Sequence, residues 1–142
     1  MLLSWAQRAD PPAPSLVITR NGNQAVTSVI VQPVSGATIT ARVAATAVSG
    51  SMQSATTLTF PGLPPVVITA TAATGTTLTS LSCDISCGAG CTAPALPASG
   101  QTADVTFSAG TTYALACSAA TASDTTTASL TLEVLGECLG LR

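Results

Sequence analysis

From Gln101 to Val134 apolar and polar positions alternate with a period of two, broken at two places. Val105 and Phe107 alternate with Asp104 and Thr106; after Ala109-Gly110, Tyr113, Leu115 and Cys117 alternate with small residues; after Ser123-Asp124, Leu130, Leu132 and Val134 alternate with Thr131 and Glu133. Successive side chains of a strand point to opposite faces, so each run has one face that needs a core and one that tolerates water. The pattern predicts three β-strands, the closing half of a β-sandwich.

The rest of the chain follows the same grammar. Residues 1–14, ending in the proline-rich DPPAP, read as a linker or fragment edge. The apolar start, MLLSWA, stops at Gln7-Arg8, too soon for the apolar core of a secretory signal. Ser15–Thr19 is expected to be a strand, Asn21-Gly22 a turn, and Ala25–Val31 a second, β-branched strand ended by Pro33. Ser35-Gly36 and Ser49-Gly50 punctuate two further runs, Ala37–Val48 and Ser54–Phe60. Pro61-Gly62-Leu63-Pro64-Pro65 then reads as a hinge, because proline removes ladder donors and glycine permits a bend.

Laying the two halves side by side yields an internal repeat. Gly36–Phe60 matches Gly110–Val134 without a gap, pairing Ile39 with Tyr113, Val43 with Cys117 and Leu58 with Leu132. Val17-Ile18-Thr19 matches Val67-Ile68-Thr69 at a shorter offset. These matches predict two modules: a partial or shortened one at 15–60 and a complete one at 66–135, joined by a hinge at 61–65 and followed by a tail at 136–142.

Composition narrows the function classes. The net charge is -2, charged residues are 7%, and the four basic residues are all scattered arginines. That excludes a broad basic surface for nucleic acid and a polybasic membrane patch. No stretch approaches the roughly 20 apolar residues of a membrane-spanning helix, so no membrane insertion is expected. Aromatics are 3%, so the core is thin and mostly aliphatic, and covalent staples matter.

The segment FSAGTTYALACSAATASDTTTASLTLEV resembles the end of hyalin-type (HYR) repeats and related immunoglobulin-like extracellular modules, and PPVVITATA resembles their beginning. The resemblance covers Pro64–Ala70 and Val105–Val134, with an echo at Ala37–Phe60. It departs from the classical immunoglobulin pattern in that Tyr113 precedes Cys117 by four residues rather than two, and the core tryptophan is missing. It implies an immunoglobulin-like β-sandwich that serves as a structural or adhesive repeat on an extracellular or cell-surface protein. Its expected partners are neighbouring repeats, surface proteins or glycans. A carbohydrate-binding accessory module of a larger cell-wall or surface protein is the alternative.

Little supports catalysis. The chain has no histidine or lysine, so the common bases for a Ser, Thr or Cys nucleophile are missing. Asp124-Thr125-Thr126 lacks the glycine of an aspartic-protease motif and reads as a turn. Asp84, Asp104 and Asp124 are a weak calcium candidate, meeting at one end of the sandwich. Tyr113 and Phe107 fit a core better than a sugar-stacking platform. No catalytic residue, cofactor or metal ligand is assigned.

The cysteines carry the sharpest expectation. Cys83, Cys87 and Cys91 are spaced C-x3-C-x3-C, which is neither a zinc knuckle nor a common iron–sulfur spacing. Disulfides are the favoured reading over metal ligands or free thiols. Cys83 and Cys117, on strands expected to face each other, form the natural inter-sheet pair. Cys87 and Cys91 would close the Gly-Ala-Gly loop, and Cys138 is left unpaired or intermolecular. Disulfides persist in oxidising compartments, which agrees with an extracellular site.

Overall fold

The computed structural model describes residues 13–20, 24–33, 36–48 and 50–136. Every regular element among them is a strand: β1 (Ser15–Arg20), β2 (Gln24–Ala25), β3 (Ser28–Val31), β4 (Thr38–Ala45), β5 (Gln53–Thr59), β6 (Val66–Thr71), β7 (Leu78–Cys87), β8 (Thr102–Ser108), β9 (Thr111–Thr121) and β10 (Thr125–Val134). They form a six-stranded sheet in the order β2-β1-β6-β5-β4-β8 and a four-stranded sheet in the order β3-β10-β9-β7. The inward side chains of both sheets share one apolar cluster, from Ile18 and Val29 to Leu132 and Val134. The architecture is an all-β sandwich. Most of the linker at 1–14, the Asn21-Gly22 turn and most of the tail lie outside the described residues.

The alternation sets which side chains turn inward. In β4 Ile39, Ala41 and Val43 are buried, and in β9 Tyr113, Leu115, Cys117 and Ala119 are buried, each separated by one outward residue. Branched and β-prone residues fit this pleated, half-buried surface better than a helix.

The two-module expectation is corrected by the strand order. Strands from 15–60 and from 66–135 interleave in both sheets. β6 and β8 share a sheet only through β5 and β4, which come from the earlier stretch, and β3 runs parallel beside β10. The later stretch therefore lacks the middle of its own sheet. The hinge at 61–65 is a turn inside one sheet: the Leu63 N–H donates to the Phe60 carbonyl, and the strands on either side, β5 and β6, pair directly.

The repeat survives as pattern and fails as pairing. Gly36–Phe60 and Gly110–Val134 each hold an antiparallel hairpin, β4–β5 and β9–β10, with matching inward positions. Their registers differ: Arg42 pairs with Thr59, whereas Ala116, the counterpart of Arg42, pairs with Ser129 and not with Glu133. The longer connection after β4 shifts the partner strand. The second match is of another kind, for Ile18 of β1 and Ile68 of β6 are direct neighbours across an antiparallel pair.

The chain crosses between the sheets five times, and at two of these crossings it does so within two residues. The run Ala25–Val31 splits at Val26-Thr27: the Val26 N–H donates to Ile18 in the six-stranded sheet, and the Thr27 carbonyl accepts from Thr131 in the four-stranded one. At Ala109-Gly110, the Ala109 N–H donates to the Ala37 carbonyl and the Gly110 N–H to the Val134 carbonyl, again one bond to each sheet. Gly110 takes φ 80°, a left-handed conformation that costs a side-chain-bearing residue more than glycine.

Candidate functional site

The densest chemistry in the molecule lies along β7, an edge strand of the four-stranded sheet. Cys83 and Cys117 are bonded, with their Cα atoms 4.0 Å apart. They are direct cross-strand partners on β7 and β9. The expected pair thus forms within one sheet and not between sheets: Cys83 and Cys117 both point inward, but their strands are neighbours. Cys87 and Cys91 are bonded as well, closing the Gly88-Ala89-Gly90 loop at the end of β7. Cys138 lies outside the described residues.

From Cys91 the chain returns without regular structure to the start of β8. Leu96 and Cys91 pack on the core. The Gly100 N–H donates to the Ala45 carbonyl at 2.7 Å, and the Ala45 N–H donates to the Gln101 carbonyl at 2.9 Å. The Ser99 hydroxyl reaches the Thr46 carbonyl at 3.4 Å. This strap bridges β7 to β4 over a cavity of about 180 Å³, bounded by Ala45, Thr56, Leu81, Cys83, Leu96 and Pro97. A wider open groove of about 720 Å³ adjoins it, with Val48, Leu78 and Leu81 among its walls and no charged side chain.

The aromatic residues sit elsewhere. Phe60, Phe107 and Tyr113 are buried, with ring centroids 5.8 Å apart for Phe60–Phe107 and 5.0 Å for the edge-on Phe107–Tyr113 pair. The Tyr113 hydroxyl accepts a hydrogen bond from the Ser108 N–H at 2.8 Å. Tyr113 and Phe107 therefore serve the core, as their alternation predicts, and offer no exposed stacking surface.

The three candidate calcium ligands are not brought together. Asp104 pairs with Arg42 on the outer face of the six-stranded sheet (3.2 Å), Asp84 is exposed on β7, and Asp124 closes the β9–β10 turn. In that turn the Thr121 hydroxyl accepts from the Ser123 and Asp124 N–H groups at 3.4 and 3.3 Å. Asp124-Thr125-Thr126 is turn and strand start. Among the described residues no three His, Cys, Asp or Glu side chains cluster as a metal site, and no helix is long and apolar enough to cross a membrane.

Two features carry no motif in the sequence, the strap and the outer faces. On the six-stranded sheet the outer face carries rows of hydroxyls, with Thr40 and Thr106 hydrogen-bonded across strands at 2.9 Å. On the four-stranded sheet Ala114 and Ala116 are flanked by Ser86 and Asp84 on β7 and by Thr131 and Ser129 on β10. The signals were present: Pro94 and Pro97 interrupt any alternation after Cys91, and the polar half of each alternating run is almost wholly Ser, Thr or Ala.

No family model, curated protein or solved structure matches this chain.

Proposed function

We propose that this chain is a non-catalytic structural or adhesive module of a larger extracellular or cell-surface protein, acting through contact with neighbouring repeats or surface proteins. The observation that carries this reading is the pair of outer faces. Both are tiled mainly with Ser, Thr and Ala, with Val17 exposed on one and Ile30 on the other, and the charges on them are few: Arg42 with Asp104 on one, Asp84 and Glu133 on the other. Such surfaces present little side-chain entropy to lose on contact and little charge to desolvate.

The finer likeness to immunoglobulin-like and hyalin-type modules is supported by the corner at Tyr113. A tyrosine near the start of a strand, bonded back to the backbone a few residues upstream where the chain changes sheets, is a hallmark of immunoglobulin-like sandwiches. Against it stands β4-β5-β6, three consecutive strands adjacent in one sheet, an order that the seven-strand constant-type arrangement does not contain. The two disulfides favour an oxidising compartment.

The experiment is sedimentation velocity over a concentration series, with Thr40→Arg and Ala116→Arg placing a charge on each outer face. Self-association weakened by either variant supports homotypic contact, and binding to neighbouring segments of the parent protein supports a spacer role. Glycan-array binding without either contact favours the carbohydrate-binding alternative, which would rest on hydroxyls because the aromatic rings named above are buried. Reproducible turnover by the purified chain removes the non-catalytic reading.

A further inference from the structure

We infer that Cys87–Cys91 is a thiol–disulfide exchange site whose bond latches the strap of residues 92–101 over the free edge of β7. The strap is held at two ends by different means. At its start it is tied covalently through Cys91 to Cys87, the last residue of β7. At its finish it is tied by the two backbone bonds between Ala45 and the Gly100–Gln101 pair, plus the Ser99 hydroxyl on Thr46. Between those ends the described backbone bonds join the strap to itself, Gln101 N–H to Ala98, and none runs to β7. Pro94 and Pro97 have no N–H to offer. The strap therefore covers an edge strand without pairing with it, one of the ways a protein blunts an exposed edge.

The two disulfides differ in access. Cys117 is 2% exposed at the inward face of β9, and Cys83, though half-buried, lines the cavity walled by Leu96 and Pro97 of the strap; Cys87 and Cys91 are half-buried at the mouth of a glycine loop. Exchange requires in-line approach of a thiolate to a sulfur, so exposed bonds open before buried ones. The co-reactant is a dithiol. One of its sulfurs, as thiolate, attacks one sulfur of Cys87–Cys91, and the S–S bond breaks to leave the other as thiolate. The second dithiol sulfur then displaces the mixed disulfide. The dithiol ends as a disulfide, having given two electrons and two protons; Cys87 and Cys91 end as two thiols. The two backbone bonds at Gly100–Gln101 are then too few to hold the strap closed and open with it, and Leu81 and Cys83 beneath it become accessible along with the edge of β7.

The test uses the full oxidised chain in a Cys138→Ser background, so that only these four cysteines report. Dithiothreitol is titrated in, samples are quenched by alkylation and mapped, and hydrogen exchange is followed in parallel. The expected result is alkylation of Cys87 and Cys91 while Cys83–Cys117 is intact. Exchange protection at the Ala45 and Gly100 amides is lost at the same dithiol concentration, and that of β9 and β10 is kept. Three results overturn the inference: both bonds opening together, Cys83–Cys117 opening first, or Cys87 and Cys91 alkylating with exchange across 92–101 unchanged. A Cys87→Ser/Cys91→Ser variant is an independent check. It should show the open-strap exchange without reductant, and exchange equal to the oxidised parent counts against the latch.

Discussion

The Tyr113 hydroxyl accepts the Ser108 N–H at 2.8 Å across the point where the chain leaves one sheet for the other. Ser108 ends β8 and Tyr113 lies near the start of β9, so one side chain spans the corner formed by Ala109-Gly110. The ring meanwhile packs edge-on against Phe107, whose strand belongs to the opposite sheet. Tyr113→Phe keeps that packing and removes only the acceptor. A net hydrogen bond contributes about 0.5–1.5 kcal/mol, so the variant should fold and melt a few degrees lower by calorimetry. An unchanged midpoint would mean that water replaces the hydroxyl at Ser108 without cost.

Gly110 tests the same corner through the backbone. A Cβ built there meets nothing within 4 Å, so the only obstacle is its φ of +80°. Gly110→Ala should cost roughly 1–2 kcal/mol, the penalty of the left-handed region for an L-residue. Gly88 is the matched control, with open space around it and no positive φ. Gly88→Ala should leave the denaturation midpoint near that of the parent.

Ile18 and Ile68 show why the strands were legible in the sequence and their partners were not. Both sit in a Val-Ile-Thr run with the isoleucine inward, so alternation gives each its face and marks the two runs as alike. Likeness suggested equivalent strands of two modules; the structure makes them neighbours, Ile18 opposite Ile68. A period of two says which side of a sheet a residue faces and nothing about which strand lies beside it. Cys83 and Cys117 carry the same ambiguity: two inward positions are compatible with facing strands or adjacent ones, and they are adjacent. Residues 93–100 read as loop and are loop, but a segment held by backbone bonds and one leucine has no period from which to read what it covers.

Arg42 and Asp104 form an ion pair at 3.2 Å whose side chains are 65% and 59% exposed. Water and salt screen such a pair, and its worth is about 0–1 kcal/mol. Arg42→Ala should therefore shift the urea midpoint little, and the difference from the parent should shrink further in high salt. A large loss would assign Arg42 a packing role through its aliphatic stem, lying over the threonines around it.

Cys83–Cys117 should contribute more to stability than Cys87–Cys91, although the two bonds lie on the same strand. The first closes a separation of 34 residues in which the chain leaves β7, crosses the strap, contributes β8 to the opposite sheet and returns as β9. Removing such a link frees all of that in the unfolded ensemble, a loss of roughly 3–4 kcal/mol in the chain-entropy treatment, against about 2 for a ring as short as the second. Cys83→Ala/Cys117→Ala avoids leaving a lone thiol or hydroxyl in the core and should lower the denaturation midpoint well below that of Cys87→Ala/Cys91→Ala. Geometry sharpens the expectation, since β7 is an edge strand whose only strand ladder is with β9. Without the bond, fraying should start at β7, so hydrogen exchange in the first variant should rise at Leu81–Ile85 before it rises in β10. If the two double variants unfold at the same midpoint, the ladder between β7 and β9 holds the edge by itself and the thin core has no need of its staple.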